Sequence, residues 1–335
     1  IRETASTSVP PCPAFVPKFA AVPATMPDLS QLPSDLRTVF VVNRQRLGFM
    51  FGETEADRVI ARLQSLADDP TVRGVVIPVD AAAGANGLPD VRGAYSAWDA
   101  NPCEASLANE VTRRITQLLD GIRLGTIPGT APHAGIQNVV LVGSDTAIPM
   151  GRLEDTTRTG NERTYQGVPS TSAIGAALAA GYFMSDEPYG DLDPIPWANR
   201  RLYVEDLAVG RLVETPQQIG DQIDAFLAQP GRALDPSRAL VASYDWMSSG
   251  AASARDALET ALSRAGQHVE GGAVLRLVPA RAEDADAQQA VGVQGGELER
   301  DEAAEGIAHD VHLGEVQVIH QSHHVLAHLR TVGVY

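Results

Sequence analysis

Between Ser185 and Asp193 the chain reads Ser-Asp-Glu-Pro-Tyr-Gly-Asp-Leu-Asp, which sets carboxylates at Asp186, Glu187, Asp191 and Asp193. Oxygen ligands this close together, turned by Pro188 and Gly190, suit a hard cation such as calcium. The ligand spacing and closing glutamate of an EF-hand loop are absent, and a solvated acidic loop is the plainer alternative. Another carboxylate, Asp145, follows Val142-Gly143-Ser144 at the end of an apolar run. Open α/β sheets bind ligands at that end of their strands, although an aspartate there also serves as a turn residue bonding its own backbone.

Thiol chemistry has a narrow base. The two cysteines are Cys12, in a proline-rich stretch, and Cys103, just before a helical pattern where a thiolate would be stabilised. They form one disulfide or none, and no zinc-ligand spacing surrounds them. Before residue 266 the sole histidine to act as base is His133, so a Cys103–His133 dyad is the one pairing to consider. There is no Gly-x-Ser-x-Gly elbow for a serine hydrolase. The other seven of the eight histidines are His268, His309, His312, His320, His323, His324 and His328. His320, His324 and His328 would share a helical face and could take zinc together with His323 or His312, yet no metalloenzyme signature accompanies them.

Composition limits the partners. With 42 acids against 26 bases, the net charge of −16 argues against nucleic acid or an anionic membrane surface. No apolar run reaches the ~18 residues of a membrane-spanning helix. Lys18 is the only lysine; every other base is arginine, as a GC-rich genome would produce. The chain opens on Ile1, which reads as a fragment or a processed product.

The elements that must position these groups follow an α/β pattern. Residues 1–35 carry prolines at 10, 11, 13, 17, 23, 27 and 33 and read as an extended, weakly packed leader. Strands are expected at 38–43, 72–79, 138–142, 206–213, 239–244 and 273–278. Helices are expected at 54–67, 107–122, 172–184, from Thr215-Pro216 onward and at 251–265. Residues 86–101, 151–169 and 185–199 read as loops. Alternating strands and helices give an α/β fold with mostly parallel sheets flanked by helices. We divide the chain into the leader 1–35, a first α/β subdomain 36–150, a second 151–265, and a histidine-rich acidic tail 266–335.

Three stretches carry a family likeness: 138–150 (NVVLVGSDTAIPM), 181–193 (GYFMSDEPYGDLD) and 206–227 (DLAVGRLVETPQQIGDQIDAFL). With 36–47, 69–80 and 239–245 they resemble, in order and spacing, the gingipain-like cysteine peptidases over about residues 36–265. The resemblance implies a two-part fold whose second part is caspase-like, thiol-dependent cleavage of protein or peptide substrates, and a place outside the cell or on its surface. It implies a calcium-rich surface near 185–193 without matching individual ligands. It also implies a histidine from a His-Gly at one strand end and a cysteine at the next, both downstream of 239–245. No His-Gly occurs here and no cysteine follows Cys103. The expectation is therefore the front portion of such an endopeptidase, truncated and inactive as it stands, with the tail 266–335 poorly ordered or frame-shifted. The alternatives are a non-catalytic protein- or glycan-binding module on the same fold, and a metal-binding function in the tail.

Overall fold

The structure is a computed structural model. It describes residues 12–157, 161, 163, 171–197, 200–232, 250 and 252–257, together with the backbone of 240–244 and 276–280. The chain divides between Ala228 and Gln229.

The first unit is built on four parallel strands: β1 (Thr38–Val42), β2 (Gly74–Pro78), β3 (Asn138–Val142) and β8 (Ala208–Leu212), in the order β2-β1-β3-β8. Every residue of Thr-Val-Phe-Val-Val in β1 is buried, as a central parallel strand covered on both faces requires. Its alternate side chains go to opposite layers. Val39 and Val41 pack with Trp98, Ile115, Leu118 and Ile122 from α3 (Val91–Ala100) and α4 (Ala105–Leu124). Phe40 and Val42 pack with Leu47, Val59, Leu63, Ile219 and Ile223 from α1 (Arg44–Phe51), α2 (Glu53–Ala67) and α6 (Pro216–Ala228).

Local chemistry sets the ends of these helices. Asn43 caps α1 through the Arg46 amide, and Asp90 caps α3 through the Gly93 amide. Thr215 and Gln218 form a reciprocal box at the start of α6, with Pro216 in the first position. Gly125 ends α4 in the left-handed region (φ 66°), which spares it a Cβ penalty.

Five expectations need correction. Residues 91–100 form α3, because Val91, Ala94, Tyr95 and Trp98 make a buried helical stripe that Gly93 does not break. The expected helix 172–184 stops at α5 (Ala173–Ala179); Gly181 (φ 87°) turns the chain into β5 (Tyr182–Ser185). β5 pairs antiparallel with β4 (Gly151–Glu154), inside what reads as loop. A hairpin of β6 (Ile195–Trp197) and β7 (Arg200–Leu202) interrupts the acidic excursion 185–199. Residues 12–35 are irregular apart from one turn of 3-10 helix at Leu29–Gln31 and, against the expectation of weak packing, they are packed: Leu29 is buried and a bridge joins Cys12 to Cys103. Because β8 comes from the second half, one sheet spans residues 38–212.

In the second unit the described residues include a parallel pair, β9 (Leu240–Tyr244) and β10 (Arg276–Ala280). The histidines beyond 266, and their proposed zinc grouping, lie outside the described residues.

Candidate functional site

The strand order reverses at β1 and β3, so the crevice at their carboxyl ends is where an open α/β sheet offers a ligand site. Here that end is filled by a buried polar network. Asp145 does sit just past β3, but its carboxylate is bonded twice by Arg152 (2.5 and 2.8 Å) and once by the Met150 amide (2.9 Å). Both side chains are almost fully buried. Arg211, from β8, makes a matching fork to Asp186 (2.6 and 2.8 Å) and donates to the Gly143 and Ile148 carbonyls. Tyr189 donates to the Pro149 carbonyl and Tyr95 to the Ala147 carbonyl. Burial raises both phenols well above their usual range, so they are neutral donors.

Next to this network Arg46 is nearly buried, donates to the Thr146 carbonyl and pairs with Asp99. Its guanidinium lies 3.9 Å from the Phe15 ring centroid and 5.0 Å from that of Trp98. Burial raises the Asp99 carboxyl even though Arg46 pulls it down. Asp80, buried after β2, accepts from the amides of Ala24 (2.7 Å) and Arg44 (2.9 Å).

The second region is the acidic loop. One carboxylate oxygen each from Asp191, Asp193 and Asp206 lies within 4.8 Å of the other two. The reversal at Gly190 brings them together: Asp206 and Leu207 donate to its carbonyl, and the Asp206 side chain accepts from Leu192. Asp191 is buried and holds the Asp193 and Val204 amides. Of the four carboxylates singled out in sequence, the structure groups Asp191 and Asp193. It commits Asp186 to Arg211, and Glu187 lies outside the group. Asp206 could not be found from a local motif, since it reaches the group from the start of the next strand segment. Glu205 beside it is raised to about 7, first by burial and then by Glu187, Asp186 and Asp191.

A cleft of about 520 Å³ opens beside this group. The polar face of α4 (Thr116, Gln117, Asp120) forms one wall; Pro188, Asp191, Arg201 and Tyr203 stand among the residues opposite. Burial raises the Asp120 carboxyl and the Tyr203 phenol. On the far face of the hairpin Ile195, Trp197 and Leu202 are exposed, as is Val204 just beyond it.

The Cys103–His133 dyad is excluded. Cys103 is bonded to Cys12 with Cα atoms 5.4 Å apart, an ordinary disulfide separation, and the chain has no free cysteine. His133 is buried before β3, and neither ring nitrogen has a hydrogen-bond partner among the described residues. No family model, curated protein or solved structure matches the chain.

Proposed function

We propose that this chain is the front portion of a gingipain-like cysteine endopeptidase, supplying scaffold and not the reacting thiol. One observation carries the reading. The three stretches behind the resemblance meet at one buried side chain: Arg211 from the third bonds the Gly143 and Ile148 carbonyls from the first and the Asp186 carboxylate from the second. Residues that must bond to one another across 68 positions are expected to occur together, in fixed order. With both cysteines bridged, hydrolysis by a Cys/His dyad belongs to the intact peptidase and not to this chain. The bridge also supports a location outside the cell or on its surface, where disulfides persist.

The reading includes a calcium ion at Asp191, Asp193 and Asp206. Oxygens within 4.8 Å of one another can share a cation at the ~2.4 Å typical of calcium–oxygen bonds.

The deciding experiment is to read the encoding DNA from codon 250 onward in all three forward frames. The expected result is a frame giving a strand that ends in His-Gly, then one that ends in cysteine. If no frame gives them, the peptidase reading falls. The exposed face of Ile195, Trp197 and Leu202 would then favour a non-catalytic protein- or glycan-binding module. Loss of binding in Trp197→Ala, on a glycan or protein array, would identify that face.

A further inference from the structure

The leader crosses the carboxyl end of the sheet as an extended strap. Its backbone is held at regular intervals: the Phe15 amide donates to the Asp99 carbonyl, and the Lys18 and Phe19 amides donate to the Phe49 carbonyl. The Val22 and Ala24 amides donate to the Glu53 and Asp80 carboxylates. In return Gln45 and Arg44 donate to the Ala21 and Val22 carbonyls. Gly48 of α1 leaves room for the strap: a Cβ there would stand 2.5 Å from that of Ala21. Phe15 closes over Arg46.

Apolar burial contributes little to this hold. Val16, Phe19 and Val22 are 76%, 50% and 61% exposed, so hydrogen bonds, one aromatic contact and the bridge at Cys12 keep residues 12–22 in place. Cys12 and Cys103 are each only partly buried and border a surface pocket with Asn101, Glu104 and Leu107, which gives a small reductant a way in.

We propose that residues 12–24 are a redox-locked strap: the Cys12–Cys103 bridge fastens them over the Arg46 side chain, and reduction by a dithiol frees them and uncovers it. In that step a thiolate of the dithiol attacks one sulfur and the S–S bond breaks. Two electrons and two protons pass to the protein as two thiols, and the dithiol closes into its own disulfide. What is uncovered is the Arg46 side chain, beside Tyr95 and Trp98 and next to the polar network at the carboxyl end of the sheet.

The sequence supplies its own probe, since Lys18 is the only lysine. A lysine-specific protease can cut the full chain at one bond alone, Lys18–Phe19, in the middle of the strap. With the bridge intact, cleavage should be slow. In dithiothreitol, or in Cys12→Ser/Cys103→Ser without reductant, it should be at least ten times faster. Amide exchange at Phe15, Val22 and Ala24 should rise with it, while tryptic cleavage at Arg58, Arg62 and Arg113 stays unchanged. Equal Lys18 cleavage before and after reduction, with both thiols shown to be free by labelling, would overturn the proposal. So would arginine sites opening in step with Lys18, for the bridge would then staple the whole fold.

Discussion

Removing the Asp186 carboxylate should be among the most damaging single changes to the first unit. The Arg211 side chain is 3% exposed and that of Asp186 is 4% exposed. Burial works against the guanidinium charge, and the Asp186 carboxylate is what offsets it. In Asp186→Ala the cation stays in the core with only the Gly143 and Ile148 carbonyls as neutral acceptors. A buried pair broken on one side costs about 3–5 kcal/mol, a large part of the 5–15 kcal/mol that holds a typical domain. Urea unfolding followed by circular dichroism measures the loss. The pair Asp186→Leu with Arg211→Met should recover most of it, since no charge is then left unmatched. A cost below about 1 kcal/mol for Asp186→Ala would refute the reasoning, as it would mean that water reaches Arg211. The same variant separates structure from metal binding. If the cost falls when EDTA is added to both proteins, Asp186 serves a cation; if EDTA changes nothing, it serves Arg211.

Three further outcomes are expected. The carboxyl group of Glu205 is held at about 7, against an ordinary 4.5, so the folded state keeps a proton that the unfolded chain releases in this interval. Stability should therefore decline as pH rises from 4.5 to about 7; Glu205→Gln should remove that slope and stabilise the protein at pH 8 by on the order of 1 kcal/mol after solvent screening, read from melts at both pH values. Millimolar calcium should raise the melting temperature of the native chain by linkage and leave Asp206→Asn unmoved; an equal shift in both would remove Asp206 from the site. Ile115→Ala, which empties a fully buried place between α4 and the sheet, should cost about 2–5 kcal/mol in urea, and a cost under 1 would show that the layer collapses to fill the gap.

The regular core was legible where pattern and burial agree. β1, β3 and α2 read from sequence within a residue or so, because an unbroken apolar run marks a strand covered on both faces and a helical stripe marks one face of a helix. α3 was hidden by its setting: the turn-rich 84–90 stretch runs into it, and its stripe of Val91, Ala94, Tyr95 and Trp98 is short. β4 and β5 have few residues and owe their form to each other, which no local window can show. The site was half legible. The acidic loop drew attention to Asp191 and Asp193, but Asp206 reaches them through a chain reversal, and the partner of Asp186 lies 25 residues on. Asp145 was placed correctly at the strand end, while its partner Arg152 was not foreseen. The leader misled most, since proline-rich composition describes extended backbone and says nothing of what that backbone rests on.

The position of Arg211 on the last strand of the sheet also bears on synthesis. β1, β2 and β3, with α1 to α4, emerge first and can assemble from contacts within residues 38–142. Asp186 follows before its counter-charge exists, and it cannot settle into the core alone without the cost of an unpaired buried carboxylate. β8 delivers the cation and the fourth strand in one stroke. A ribosome that stops short of codon 211 therefore leaves β3 with an open edge and an acid that holds the junction in water, a product for quality control.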